Sequence, residues 1–243
     1  MRKLRRLTEA EVIAEFLRGE FFQKEYDADR HQFAPLVEHP NLTDATENEI
    51  RRILLFRRRD TMWWELPEDR QWWEVDFEPE DVEQVSVFPR AHWRKIARGN
   101  FRALDVAARI RQLKETEPSE FINKISDICA KLPTDLPKGM IILLGLDENR
   151  PVTLLEGNHR FVASLLAGGP DHLRNARMVA VFSPQMENCC WYKTNLLTLA
   201  RCLKNRIKHH WDRDTDLARL IAATAGADNS SAFAGSTRPV KSK

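Results

Sequence analysis

The 243-residue chain holds only four cysteines, Cys129, Cys189, Cys190 and Cys202, and two of them are adjacent. That number and spacing exclude a disulfide framework, and they show no paired metal-ligand pattern. Long hydrophobic runs are also missing, so no stretch is expected to span a bilayer. The N-terminus is basic but lacks the apolar core of a signal peptide. A cytoplasmic location and no membrane partner are expected. No segment repeats. Nor does one sign of charge dominate: 38 Lys and Arg against 36 Asp and Glu leave a net charge of +2. That balance argues neither for nor against a nucleic-acid partner.

What is present is a globular composition, 42% hydrophobic and 30% charged, and unevenly placed basic residues. Arg2, Lys3, Arg5 and Arg6 open the chain, Arg57 to Arg59 form a run, and residues 201–213 are basic again. These read first as solvated helix faces and second as a phosphate-binding surface.

Along the chain, "MRKLRRLTEAEVIAEFL" reads as an amphipathic helix in prospect, with helix expected from about Thr8 to Tyr26. Thr8 and Glu11 have capping-box spacing. A second helix is expected in "HPNLTDATENEIRRILLFRRR", starting near Thr46 or Asn48. The tryptophan pairs Trp63–Trp64 and Trp72–Trp73 flank Pro67, which reads as two short strands joined by a turn. Such pairs fill a core more often than they stack on a ligand. "VEQVSVF" reads as a strand, "FRALDVAARIRQL" and "SEFINKISDICAKL" as helices, and "GMIILLGL" and "PVTLL" as a buried hairpin. "HRFVASLLAG" is a helix stopped at Gly168–Gly169–Pro170. "ARMVAVFSP" is one more strand, and a mostly helical stretch follows it. The organisation expected is an N-terminal extension over residues 1–80, helical and aromatic-rich, then a domain over 81–225. A disordered tail over 226–243 completes it.

The polar groups concentrate at one joint, "TLLEGNHRFVASLLAG", where a strand becomes a helix. A helix start exposes backbone N–H groups and the positive end of the dipole, which together suit an anion. Gly157 permits close approach, Arg160 can clamp phosphate oxygens, and His159 can donate a hydrogen bond or accept a proton. Glu156 would repel phosphate unless it holds Mg²⁺, pairs with Arg160 or acts on a hydroxyl. The ordinary alternative is a salt bridge between Glu156 and Arg160, with Asn158 as a helix cap. Cys189–Cys190 reads as a buried apolar pair, and His209–His210 beside Trp211 as a solvated helix face.

The order of elements, with the motif Glu156-Gly157-Asn158-His159-Arg160, resembles the ParB/sulfiredoxin superfamily over roughly Val82 to Pro184. The resemblance implies an α+β fold with a small mixed sheet flanked by helices. It also implies nucleotide binding, with Gly157, His159 and Arg160 contacting phosphates and Asn158 opening the helix. Sulfiredoxins carry a reactive cysteine where this chain has Asn158, so sulfinic-acid reduction is not expected. No helix-turn-helix module of partition proteins follows the motif. The His-containing form is more similar to the free-serine kinases and the plasmid fertility-inhibition factors of the superfamily. The family often has polar ligand contacts in the region of Arg94, Arg98 and Arg102. ATP or another nucleotide with Mg²⁺ is therefore the expected cofactor. Glu156 and His159 are the candidate catalytic groups, and Glu156 is also the metal contact. Kinase or hydrolase activity on a small-molecule acceptor is one reading. A nucleotide-dependent regulator that binds DNA or a protein is the other.

Overall fold

A computed structural model of the chain describes residues 1–89, 91–132, 139–174 and 176–210. The tail over 226–243, Trp211 and the side chains of Arg57, Arg58, His209 and His210 lie outside what is described. The fold is α+β, built on one six-stranded mixed sheet. The strands are β1 (Arg2–Leu7), β2 (Gln71–Asp76), β3 (Val85–Ser86), β4 (Ile141–Gly145), β5 (Val152–Glu156) and β6 (Met178–Phe182), in the order β1-β2-β6-β4-β5-β3. No described helix is long and apolar enough to cross a membrane.

The central strands β4 and β6 are apolar throughout and buried at every position. Both faces of the sheet are therefore covered. On one face lie α1 (Glu9–Glu20), α2 (Asp27–Glu38), α3 (Ala45–Trp64) and the inner side of α8 (Leu196–His210). They pack on Ile142, Leu144, Val179 and Val181. On the other face lie α4 (Ala91–Ala97), α5 (Ala103–Thr116), α6 (Glu120–Lys131) and α7 (Asn158–Gly168), packed on Ile141, Leu143, Met178 and Ala180. The alternation of side chains along each strand sends successive residues to opposite cores.

Several expectations hold. Thr8 and Glu11 form the capping box of α1, Ser119 caps α6, and Gly169 ends α7. The buried hairpin of β4 and β5 is present and antiparallel.

Others need correction. Arg2–Leu7 is a strand, not the front of the first helix, and its arginines pair with carboxylates on and near β2: Arg2 with Asp76 and Arg5 with Glu74. Four basic residues on an edge strand hid it, because only Leu7 is buried. β1 and β2 both belong to the common sheet, so residues 1–80 are built into the fold rather than appended to it. The first tryptophan pair is not on a strand. From its Asp44 cap, α3 carries an apolar stripe through Ile50, Ile53, Leu54 and Trp63, which extends the helix to Trp64. Trp63 stacks on Trp72 of β2 with centroids 5.3 Å apart, and both are buried, so the core reading holds for these two. "VEQVSVF" yields only a two-residue strand, because Pro79 opens a 3-10 turn closed by a Glu78–Asp81 capping box.

Candidate functional site

Between β4 and β5 the pairing skips one residue. Leu143 faces Leu154, yet Ile142 faces Glu156, leaving Leu155 as the extra residue of a bulge. A bulge places two consecutive side chains on one face. Leu155 packs in the core under α1–α3, and Glu156 is turned toward the same layer. There it meets Arg59 of α3, whose Nη2 lies 3.2 Å from Glu156 Oε2. Helix α3 is kinked at this residue, with φ −124° and ψ 17°. Glu156 Oε1 also accepts a hydrogen bond from the Gly157 amide at 2.9 Å. Glu156 therefore pairs with a distant arginine that the sequence did not point to, and not with Arg160 as the local spacing suggested.

Gly157 has φ +84°, the left-handed region that other residues enter at a cost. A Cβ there would stand 2.9 Å from Ile141 Cγ1 and 3.3 Å from Ile141 Cα. The backbone's own packing therefore requires glycine. Asn158 opens α7 as expected, but its amide is turned inward. Oδ1 accepts from the Phe88 amide at 2.8 Å, and Nδ2 donates to the Leu154 and Leu155 carbonyls at 3.4 Å. It fastens the loop after β3 to the end of β5.

His159 lies between Trp93 and Phe121, with ring centroids 5.2 Å and 5.0 Å away. Burial, helped by the charges of Lys124, His92 and Arg160, pulls its pKa down to about 4 against the opposing pull of Glu156. At neutral pH the ring is uncharged. It can exchange hydrogen bonds with a ligand but brings no positive charge. Arg160 Nη2 donates to the Met140 carbonyl at 3.1 Å. Its Nη1 occupies the space over Gly139, where a Cβ would come within 2.3 Å of it. Gly139, also at positive φ, is thus the berth for Arg160.

The turn brings together Glu156, Gly157, Asn158 and the stem of Arg160, and adds Arg59. His159 is directed to a neighbouring aromatic niche under α4. The N-terminus of α7 has no side-chain cap. Arg59 Nε is buried with no hydrogen-bond partner among the described residues. Glu156 does not by itself build a magnesium site, because its oxygens already meet an amide and a guanidinium. Mg²⁺ is commonly held by one or two carboxylates together with phosphate oxygens.

A cleft of about 320 Å³, which none of residues 156–160 lines, is bounded by Ser86, Pro89, Arg94, Thr153, Tyr192 and Lys193 among others. Helix α4 joins the two places, since Trp93 touches His159 while Arg94 lines the cleft. Of the other arginines in that stretch, Arg102 pairs with Glu83 and Arg98 has φ +47°.

Local spacing offers no signal for Arg59 as the partner of Glu156, almost a hundred residues away. Comparison with protein-family models, with curated proteins and with solved structures gives no match.

Proposed function

We propose that this chain binds a nucleotide with its phosphates at the start of α7, and that it catalyses phosphoryl transfer or hydrolysis there. The reading keeps the ParB/sulfiredoxin-like interpretation of residues 156–160. The observation that carries it is Arg59, whose buried Nε has no partner among the described residues, at a strand–glycine–helix turn with no side-chain cap. Arg59 has donors suited to phosphate oxygens at such a turn, and Arg160 would join it by swinging its guanidinium away from the Met140 carbonyl. In the resting chain the Glu156 carboxylate lies on the Gly157 amide and balances Arg59. An arriving phosphate would take over that amide and the arginine. Glu156 would then be released toward Mg²⁺ carried in on the nucleotide, or toward an acceptor hydroxyl. Phosphoryl transfer needs mainly positioning and charge neutralisation. A neutral His159 would orient a ligand group rather than neutralise charge. The cleft with Arg94 and Lys193 suits a small anionic acceptor.

The second reading is a nucleotide-dependent regulator that binds DNA or a protein. Its support is α8, where Arg201, Lys204, Arg206 and Lys208 are all exposed. Binding to DNA through phosphates should weaken steeply as salt rises. Absence of any DNA or RNA binding at low salt would exclude the nucleic-acid form.

The test is equilibrium binding of ATP, ADP, CTP and GTP with Mg²⁺ to the wild type, Arg160→Ala and Arg59→Ala. Losing a charge-assisted contact should weaken binding about ten- to a hundredfold in each variant. If no nucleotide binds the wild type at millimolar concentration, the proposal fails.

A further inference from the structure

Helix α8 turns an unusual side inward. The residues it buries or half-buries are Thr198, Cys202 and Asn205, a stripe at helical spacing. Its large apolar residues point away: Leu196 is 87% exposed, and Leu203 and Ile207 are each 61% exposed. A helix ordinarily docks by its apolar stripe. Thr198 is explained by its bonds to Asn195 and to the Lys193 carbonyl, which shape the start of the helix. Cys202 and Asn205 need another explanation, and both lead to Glu65.

Glu65 is the C-cap of α3, and it is buried. A carboxylate there stands at the negative end of the helix dipole, where added negative charge is disfavoured. A carboxylate oxygen of Glu65 and the Sγ atoms of Cys190 and Cys202 all lie within 4.8 Å of one another, and all three residues are buried. Asn205 Nδ2 donates to Glu65 Oε2 at 3.2 Å.

We propose that Glu65, Cys190 and Cys202 form a site for a soft divalent cation, zinc, which fastens α8 to the body of the protein. Around a tetrahedral zinc, with bonds of about 2.3 Å to sulfur and 2.0 Å to oxygen, ligand atoms stand roughly 3.5–3.8 Å apart. The three donors therefore need only small side-chain rotations to close on the ion. Two thiolates with one carboxylate select zinc over magnesium or calcium, which take oxygen ligands. On binding, the two thiols lose their protons to solvent and two S–Zn bonds form, with no change of oxidation state. Water fills the fourth position. Asn205 is a positioning residue: its bond to Oε2 orients the carboxylate, as outer partners of metal ligands do. The ligands come from the end of α3, the segment after β6 and α8, so the ion would join three parts distant in sequence. The site is separate from the turn at Glu156, and the inference stands whether or not a nucleotide binds there.

The experiment measures metal in the full-length chain. Elemental analysis of protein purified without chelator should find about one zinc per chain. Cobalt in place of zinc should show thiolate-to-metal absorption. Zinc should protect Cys190 and Cys202 from a thiol reagent, and its removal should speed amide exchange within α8. Cys190→Ser and Cys202→Ser should each lose the ion, and Asn205→Ala should hold it about ten- to a hundredfold more weakly. Should either serine variant fail to fold, the cobalt spectrum and thiol protection of the wild type decide the matter alone. The proposal is overturned if the wild type neither contains nor takes up zinc or cobalt. It is also overturned if a folded serine variant keeps the ion unchanged, or if Cys190 and Cys202 are found joined as a disulfide.

Discussion

Glu156 and Glu65 each close a secondary-structure element, and the protein surrounds them in opposite ways. Glu156 ends β5 beside the positive end of α7, with a backbone amide and Arg59 for company. Its charge is answered from within the chain. Glu65 ends α3 at the negative pole of that helix, with two thiols and an amide beside it. The same carboxylate is thus presented to hard, positive donors in one place and to soft ligand atoms in the other. Under the two proposals above, one residue type would support two chemistries, and the neighbours would decide which.

The largest effect should come from removing the turn beneath Glu156. Gly157→Ala forces a side chain into left-handed backbone at a cost of about 1–3 kcal/mol, and the overlap with Ile141 adds to it. Denaturant midpoints should fall accordingly. An unchanged midpoint would mean that the turn relaxes freely and that glycine is retained for a ligand instead. Acid probes His159, two places beyond that glycine. Burial and the Lys124 charge lower the His159 pKa from 6.5 to about 4. Below 6.5 the unfolded chain takes up a proton that the folded chain refuses until about 4. Stability from this residue is therefore full above 6.5 and declines as pH falls to about 4, where the decline levels off. Unfolding curves across that window should show the loss, and His159→Gln should abolish this part of it while leaving Glu65 and its thiols untouched. The smallest effect should be Arg59→Ala. Its bond to Glu156 joins side chains that are partly solvent-exposed, so the loss should be at most about 1 kcal/mol. A much larger loss of stability would show that Glu156 depends on Arg59 as strictly as a buried charge does.

The hairpin of β4 and β5, the helix after it and the caps at Thr8 and Ser119 were legible because they rest on local patterns: unbroken apolar runs, glycine stops and short polar spacings. The position of Asn158 at the helix start was legible for the same reason. What escaped depended on pairing across the chain. β1 carries arginines where a strand normally shows alternating apolar residues, and only its partner β2 reveals it. Trp63 and Trp72 look alike in sequence, yet one lies on a helix and the other on a strand, and they meet because α1–α3 cover that face of the sheet. Arg59 sits in a basic run that reads as solvated, and its pairing becomes visible only once the kink in α3 places it over β5. Glu65, Cys190 and Cys202 have no shared spacing. Their meeting depends on how α8 returns to the foot of α3.

The single unpaired residue at Leu155 acts as an address. In a regular ladder, Leu155 would stand opposite Ile142, and Glu156 would turn toward Ile141 and the apolar core beneath α4–α7. The bulge delays the alternation by one step and delivers the carboxylate to the other half of the molecule. Which layer owns the charged end of this strand is therefore written in the hydrogen-bond ladder and not in the identity of any side chain. A mutation that restored regular pairing would relocate the chemistry of the turn without changing one of its residues.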